Sequence, residues 1–228
     1  MEITETRRWR FKGPEMEGPV ARWYARLRGT DSQLAVYRKQ ARQLTAGLSK
    51  GARVLEIAPG PGYLAIEIAR IGDFSVTGLD ISRTFVEIAR DQARKAGVAV
   101  DFRQGDVARM PFDSGSFDLV VCQAAFKNFT LPRSALAEMH RVLRPGGTAV
   151  IQDMSHEATH ADIAHEVDSM KLDAFRSFTT RATLEMLKRR AYSSEQFERL
   201  AAASPFRECN IATEGIGLEV RLTKETYR

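Results

Sequence analysis

An acidic, glycine-rich turn is the stretch of this sequence best suited to chemistry. Residues 54–62 read V-L-E-I-A-P-G-P-G, where a short apolar run predicts a buried strand and the Gly and Pro residues predict a tight turn. Gly60 and Gly62 carry no Cβ, so a ligand can approach the backbone there. Glu56 places a carboxylate beside the turn, which favours a positively charged ligand over a pyrophosphate. A helical pattern follows, so the turn is predicted at a strand's carboxyl end, where open α/β sheets bind ligands.

A second acidic residue closes the next predicted strand. Residues 74–79 read F-S-V-T-G-L, and Asp80 follows them. One helix and one strand separate Asp80 from Gly62, the spacing at which an acidic side chain reaches ribose hydroxyls in a strand–helix–strand unit. Ser82 suffices as the N-cap of the next helix, so Asp80 is left for a ligand.

Two common nucleotide-binding motifs do not fit the turn. With Gly60 as the middle glycine of G-x-G-x-x-G, the outer positions fall on Ala58 and Tyr63, and the bulk of Tyr63 disfavours close helix packing. No G-K-S or G-K-T follows, which excludes a P-loop. Tyr63 and Glu56 together make a nicotinamide dehydrogenase the least favoured enzyme class.

The order of five motifs resembles that of a known family. They are E-I-A-P-G-P-G at 56–62, G-L-D at 78–80, G-D-V at 105–107, F-D-L-V-V at 117–121 and L-R-P-G-G at 143–147. This set resembles the class I S-adenosylmethionine-dependent methyltransferases, especially their small-molecule and quinone-biosynthesis branch. The resemblance covers residues 50–153 and extends more loosely into the tail. Five motifs in the right order are far more specific than one.

The resemblance and the apolar patterns predict the same fold. Strand and helix patterns alternate between residues 52 and 153, which favours a parallel sheet with helices on both faces. The family implies a Rossmann-like, doubly wound α/β fold with a mostly parallel seven-stranded sheet. Residues 207–213 and 218–223 read as strands joined by a turn, which predicts a C-terminal antiparallel hairpin.

The chain is expected to divide into a cap and a core. Residues 1–50 are predicted to form an N-terminal arm and cap helices, and residues 51–228 the methyltransferase core. A polar, helical stretch at about 155–190 predicts a lid inserted before the last strands, made of two helices broken near residues 177–180.

The resemblance implies S-adenosyl-L-methionine as the methyl donor and assigns its methionine part to the first turn. Glu56, with the backbone at Ala58, Gly60 and Gly62, is expected to face this part of the cofactor. Ala58 departs from the family pattern, which has a glycine there, but the change is small.

The remaining cofactor contacts implied by the resemblance come from later motifs. Asp80 is expected to bind the ribose, and Ile81 to lie against one face of the adenine. Asp106 is expected to accept from the exocyclic amine of the adenine, with Val107 beside it. Cys122, at the end of the fourth strand, is expected near the sulfonium.

The acceptor site is predicted from weaker signals. Phe126, Lys127 and Asn128 stand where many relatives carry histidines, which weakens the transfer of a quinone substrate to this chain. Lys127 either binds an anionic substrate or is solvated. Tyr24, in a leading helix, either lines the substrate pocket or packs ordinarily. His156 is placed in the pocket by its position after the sheet.

No catalytic residue is assigned, because an aligned sulfonium needs little more than positioning. His156 and His160 are spaced i, i+4 and could share a helix face, but no third ligand is evident, so no metal is expected. Their position motivates the hypothesis that a general base is one of His156, His160 and His165.

Composition narrows the classes of partner. The chain has 228 residues, 43% of them hydrophobic, and no apolar run near ~18 residues, so neither a membrane span nor a membrane partner is expected. The charged N-terminus reads as no signal peptide, and two cysteines make no disulfide framework, which together favour the cytoplasm. Residues 1–50 hold 11 of the 34 bases and 5 of the 29 acids, so the positive excess lies there.

Three functions therefore stay open. Methyl transfer to a small molecule leads. An RNA or protein methyltransferase that uses the basic leading segment is the first rival, although nucleic acid is disfavoured because no Asn-Pro-Pro-Tyr or Asp-Pro-Pro-Tyr follows the fourth strand. A non-catalytic S-adenosylmethionine-binding protein is the second. A homodimer is left open.

Overall fold

The computed structural model describes residues 16–226, so residues 1–15 of the predicted arm lie outside the described residues. The elements of this part of the chain alternate between helix and strand over most of its length. They are α1 (Gly18–Arg28), α2 (Asp31–Thr45), β1 (Arg53–Ile57), α3 (Tyr63–Arg70), β2 (Ser75–Asp80), α4 (Arg83–Ala96), β3 (Asp101–Gln104), β4 (Phe117–Gln123), α5 (Pro132–Val142), β5 (Leu143–Met154), α6 (His160–Ser169), α7 (Ala174–Lys188), α8 (Ser194–Ala202), β6 (Asn210–Glu214) and β7 (Gly217–Thr223). Single 3₁₀ turns form at Val107–Arg109 and Phe126–Asn128.

The strands form a seven-stranded sheet in the order β3-β2-β1-β4-β5-β7-β6. β1 pairs with β2, β2 with β3 and β4 with β5 in parallel, whereas β7 is antiparallel to both β5 and β6. The predicted mostly parallel sheet with a C-terminal antiparallel hairpin is confirmed. None of the helices described is long and apolar enough to cross a membrane.

The chain divides into two compact units. The first runs to Pro111 and includes Thr130–Pro132, and the second holds Phe112–Phe129 and the chain from Arg133 onward. The first unit contains α1 to α4 and β1 to β3, and the second contains β4 to β7.

Local sequence explains how the first unit positions its loops. β1 is buried along four of its five residues, which is typical of a strand in a parallel sheet covered by helices. The hydroxyl of Ser82 accepts from the backbone N–H of Phe85 at 3.0 Å and so caps α4, as predicted. Gly97 ends α4 in the left-handed conformation, with φ at 68°.

The helical insertion of the second unit differs from its prediction. α6 and α7 are separated at residues 170–173, and the predicted break at 177–180 lies inside α7. Asp173 caps α7 by accepting from the N–H of Arg176 at 2.9 Å. Within that stretch the hydroxyls of Ser177 and Thr179 bond to the carbonyl oxygens of Leu172 and Arg176.

β5 begins at Leu143 and so includes the L-R-P-G-G motif. Two further positions correct the prediction. Cys209, expected inside a strand, precedes β6. His156 lies in a turn before α6, so it shares no helix face with His160, the first residue of that helix.

Candidate cofactor site

The Asp80 carboxylate joins two loops at the carboxyl ends of β1 and β2. Its Oδ2 accepts from the backbone N–H of Gly60 at 2.9 Å, and its Oδ1 accepts from the backbone N–H of Ser82 at 2.9 Å. A carboxylate offers about four lone-pair sites, so it keeps acceptor capacity for a hydroxyl donor of a ligand. Asp80 therefore lies at the carboxyl edge of the sheet, and its contact with a ribose stays a prediction.

Burial raises the pKa of Asp80 to about 6. The hydrogen bonds from Ser82 and Gly60 work in the opposite direction by stabilising the charged form, and the negative charge of Glu17 adds to the rise. Desolvation destabilises the charged form of this buried carboxylate, so each further hydroxyl donor stabilises that form.

Glu56 is the second buried acid of the first unit. Its Oε2 accepts from the backbone N–H of Ala65, in the first turn of α3, at 2.8 Å. Burial raises its pKa to about 8, against the lowering effect of the Ala65 N–H, and the charge of Asp80 raises it further. Among the described residues no Lys, Arg or His forms an ion pair with Glu56. A ligand cation is therefore the group that would stabilise its ionised form.

The two glycines of the turn have different structural roles. A Cβ built on Gly60, at φ 55°, meets nothing within 4 Å, so its backbone borders open space. At Gly62, φ is 80° and a Cβ would lie 2.6 Å from the Phe102 ring and 2.8 Å from the Ala89 Cβ. Gly60 suits close approach of a ligand, and Gly62 suits close packing of α3 and α4 on the sheet.

Ala58 and Tyr63 show how the turn departs from the glycine pattern. Ala58 has φ at 52° although it carries a side chain, and its N–H donates to the Leu79 carbonyl at 2.8 Å. Tyr63 begins α3 and donates its hydroxyl to the Ala25 carbonyl at 2.9 Å. Close packing of the helix falls on Gly62, and the mismatch of Tyr63 with the third glycine of G-x-G-x-x-G stays a prediction.

The expected adenine contacts lie at the ends of β2 and β3. Ile81 is 69% exposed directly after Asp80, and the side chain of Gln104 donates to its carbonyl at 3.2 Å. Asp106 is exposed and caps the 3₁₀ turn through Ala108 N–H, at 2.9 Å, on one oxygen. Val107 is half-buried in that turn. An exposed apolar residue beside polar acceptors suits a purine ring, and these contacts stay predictions.

A group of supporting residues was missed by sequence reasoning. Glu17 accepts from the backbone N–H of Thr84 at 3.1 Å and from its hydroxyl, and the hydroxyl bond is the largest cause that lowers the pKa of Glu17. Ser82 donates its hydroxyl to the Met16 carbonyl at 2.8 Å. The chain before α1 is thus tied to the start of α4, next to Asp80. The contacts join residues more than 60 positions apart, so no local pattern signals them.

Phe126 is a core residue of the second unit. Its side chain is fully buried, with ring centroids of Phe129, Tyr192 and Phe197 at 5.3, 5.6 and 5.1 Å. The prediction that Phe126 lines the substrate pocket is corrected, because its ring has no exposed surface to offer an acceptor. Its aromatic neighbours come from distant parts of the chain.

Lys127 is neither solvated nor available as a simple anion site. Its Nζ lies 2.6 Å from Asp153 Oδ1, and the two side chains are 6% and 3% exposed. The Nζ also donates to the Ala124 carbonyl at 2.7 Å. The predicted choice between an anionic substrate and solvent is replaced by a buried ion pair between the ends of β4 and β5.

The other predicted residues are placed as follows. Cys122 is buried in β4, and Asn128 is exposed in the following 3₁₀ turn. Tyr24 packs edge-on against Phe85, with ring centroids 5.9 Å apart, which is ordinary packing. The roles of these residues in binding stay predictions.

The histidines of the insertion have separate partners. His156 is exposed and its Nδ1 donates to the Lys188 carbonyl at 3.0 Å, whereas His160 Nδ1 contacts the Glu185 carboxylate. His165 is exposed on α6. Within the described residues no three His, Cys, Asp or Glu side chains are grouped as a metal site.

Part of the chain matches a known family model. The sheet is mostly parallel and seven-stranded, with two acids, Glu56 and Asp80, at the ends of its first strands. Residues 55–151 match the family described as "Methyltransferase domain". The residues present fit the methyl donor of this family, because the open backbone at Gly60 and the remaining acceptor sites of Asp80 can take an adenosine ribose.

Curated relatives include quinone methyltransferases. The chain is 37% identical over 108 residues to the demethylmenaquinone methyltransferase of Deinococcus radiodurans, covering 47% of this chain and 45% of the relative. It is 34% identical over 131 residues to the ubiquinone/menaquinone biosynthesis C-methyltransferase UbiE of Cupriavidus necator, covering 56% and 53%. The chain thus spans about half the length of the curated relatives it matches.

A solved structure agrees with the fold over nearly the whole chain. A protein of Methanococcus maripaludis assigned as an S-adenosyl-L-methionine-dependent methyltransferase superposes with a TM-score of 0.71 at 20% identity. The match covers 92% of this chain and 94% of the other. At this identity the likeness shows the fold.

Proposed function

We propose that this protein transfers the methyl group of S-adenosyl-L-methionine to a carbon atom of a small quinone-type ring. The observation that carries the cofactor half is the Asp80 carboxylate, which holds the Gly60 and Ser82 backbone with acceptor sites to spare. The acceptor half is supported by the relatives, whose names specify demethylmenaquinone and C-methylation.

The residues of this chain act by binding and orientation. S-adenosyl-L-methionine, when bound, supplies a methyl group activated by its sulfonium. Asp80 accepts from the ribose hydroxyls, Ile81 offers an apolar surface to the adenine, and Glu56 supplies negative charge near the cationic part. Holding two reactants in line can contribute roughly 7–11 kcal/mol to lowering the barrier. In the balanced reaction the ring carbon gains the methyl group and loses its proton to solvent, and S-adenosylhomocysteine is the second product.

Glu56 suits a cationic cofactor better than a neutral or anionic one. Its pKa of about 8 means that it is largely protonated at neutral pH without a partner. A nearby sulfonium or ammonium favours the carboxylate, and the resulting attraction is strong because the group is buried. A pyrophosphate would instead be repelled by the same side chain.

The first experiment measures cofactor binding by calorimetry with S-adenosylhomocysteine. Binding by the wild-type chain, weakened at least about tenfold by Asp80→Ala, is expected from the loss of one charge-assisted hydrogen bond. A chain that does not bind S-adenosylhomocysteine, or that binds it equally well after the substitution, refutes the cofactor half.

The second experiment measures turnover. The full chain is incubated with S-adenosylmethionine carrying a labelled methyl group and a reduced demethylmenaquinone with a shortened side chain, and products are identified by mass spectrometry. A ring product heavier by one labelled methyl group is expected. Cofactor binding without this product would refute the acceptor half, and label appearing in bulk RNA instead would favour the rival that uses the basic leading segment.

A further inference from the structure

The outer face of α7 carries exposed apolar side chains that the cofactor assignment leaves unexplained. Phe175, Phe178 and Met186 are 76%, 72% and 58% exposed, and Ala182, between them, is exposed as well. These residues are spaced i, i+3, i+7 and i+11, so they form one stripe along the helix. No residue of α7 is fully buried.

The opposite face of α7 is anchored, which holds the stripe outward. Leu184 and Leu187 pack against a small cluster formed by Met154, Ala158, Ile163 and Ala191. Turning the phenylalanines inward would remove these two leucines from the cluster. α7 therefore has two apolar faces: one packs on the protein and the other is exposed.

Polar groups beside the stripe are already satisfied within the helix. The hydroxyl of Thr179 donates to the Phe175 and Arg176 carbonyls at 3.1 and 3.0 Å, and that of Thr183 donates to the Thr179 carbonyl at 2.8 Å. A hydroxyl bonded to its own helix costs little to remove from water. This side of α7 can therefore enter an apolar medium without leaving those donors unpaired.

The charge around the stripe is strongly positive. Residues 170–190 contain six bases, at 171, 176, 181, 188, 189 and 190, and two acids, Asp173 and Glu185. Both acids are engaged, Asp173 with Arg176 and Glu185 with His160. Within residues 16–226, Lys171, Arg181, Arg189 and Arg190 form no ion pair, so the segment that carries the stripe keeps an excess of positive charge.

We propose that the outer face of α7 docks on an anionic phospholipid surface, with the phenylalanines at the acyl boundary and the surrounding bases at the headgroups. An exposed aromatic stripe flanked by Lys and Arg on a helix too short and polar to span suits this interfacial position. A second copy of the chain is a poorer occupant, because pairing two such faces would bring two positive segments together. The binding claim does not depend on the acceptor or on activity.

Flotation with lipid vesicles tests the proposal on the full chain without cofactor. Vesicles of phosphatidylcholine alone are compared with vesicles of phosphatidylcholine and phosphatidylglycerol in equal parts. Partition onto the mixed vesicles is expected to exceed that onto the neutral ones by about tenfold or more, because each base near the surface contributes to binding. Phe175→Ser with Phe178→Ser is expected to lower this partition by about tenfold.

Matched variants separate the outcomes. Trp23→Ser removes an aromatic residue that is 61% exposed on α1, and it is expected to bind vesicles as the wild type does. Arg181→Gln with Arg189→Gln should weaken binding to the mixed vesicles alone. Equal binding to both vesicle types, or full binding by the Phe175→Ser, Phe178→Ser variant with native circular dichroism, overturns the proposal. So does a dimer in gel filtration that the same two substitutions dissociate.

Discussion

The backbone N–H of Gly60 donates to the Asp80 carboxylate at 2.9 Å, and this bond joins the turn after β1 to the end of β2. The same carboxylate accepts from Ser82, at the start of α4. One acid thereby holds two loops while keeping acceptor sites for a ligand. Loss of Asp80 is expected to affect the shape of the turn and the affinity for adenosine together.

A substitution that preserves shape separates these two roles. Asp80→Asn keeps one carbonyl oxygen and loses the charge, so we expect S-adenosylhomocysteine to bind roughly tenfold more weakly while the thermal midpoint falls by only a few degrees. Asp80→Ala should lower both the affinity for S-adenosylhomocysteine and the thermal midpoint. Calorimetry and thermal unfolding on the same samples measure the split. Asp101→Asn, at the exposed start of β3, is the control, and equal affinity in Asp80→Asn and wild type would contradict the ribose assignment.

The buried Glu56 predicts that cofactor binding releases a proton. At pH 7 a group with a pKa of about 8 is mostly protonated, and a cation beside it lowers that pKa. We expect net proton release on binding S-adenosylmethionine. The release should be smaller with S-adenosylhomocysteine, which has no sulfonium, and it should fall in Glu56→Gln, which lacks the carboxyl group. Calorimetry at pH 7 in buffers of different ionisation enthalpy measures it. Identical release by wild type and Glu56→Gln would show that the cation lies elsewhere.

The same side chain sets a pH dependence of stability. Because the pKa of Glu56 is raised on folding, the folded chain keeps a proton that the unfolded chain gives up, so stability falls as pH rises from about 4.5 to about 8. We expect the unliganded wild type to lose a few kcal/mol relative to Glu56→Gln across this range. Urea unfolding at several pH values measures the difference. Parallel pH profiles for the two proteins would contradict the buried position of this carboxyl.

Gly60 and Gly62 are expected to separate binding from stability. Gly62→Ala places a methyl group against Phe102 and Ala89 at a positive φ, so we expect a loss of about 3 kcal/mol. Gly60→Ala meets no neighbour and should cost about 1 kcal/mol, but its methyl group enters the space beside the backbone and should weaken cofactor binding.

Thermal unfolding and calorimetry with S-adenosylhomocysteine measure both effects. Phe102→Leu in the Gly62→Ala background is the control for the steric cause, because it removes ring atoms from the overlap and should restore part of the stability. Full cofactor affinity in Gly60→Ala would show that the ligand does not approach this turn.

Sequence reasoning succeeded where the signal was local. The apolar run before Glu56, the cap at Ser82 and the spacing to Asp80 each depend on a few neighbouring residues, and the structure has the predicted strand, helix and turn at each position. Short-range periodicity decides which face is buried, so the alternation of the core followed from it. The alternating fold and the position of both acids at the strand ends could therefore be predicted from the amino-acid sequence alone.

Two side-chain environments could not be predicted from the sequence, because the contacting residues are distant in the chain. Lys127 looks solvated in the sequence, and only the parallel pairing of β4 and β5 brings Asp153 to it. Phe126 looks like a pocket residue until Tyr192 and Phe197 cover it. Tertiary packing decides both environments, and no pattern within a short window encodes it.

The Lys127–Asp153 pair gives the last prediction, because both side chains are almost fully buried. Lys127→Met leaves the Asp153 charge without its cation, and we expect a loss of about 3–5 kcal/mol in the free energy of unfolding. Asp153 also accepts from the backbone N–H groups of Lys127 and Met154, at 3.1 and 2.8 Å, and these donors must keep an acceptor. Lys127→Met with Asp153→Asn removes both charges and retains a carbonyl oxygen, so it should recover much of the loss.

Urea unfolding of the two single variants and the double variant measures the coupling between the side chains. Additive losses would show that the ion pair contributes nothing beyond its separate parts. A substrate contact by Lys127 would appear differently, as a raised KM in the stable double variant. If the ion pair only stabilises the fold, KM stays unchanged in that variant, because the methyl-accepting substrate makes no contact with the lysine charge that was removed.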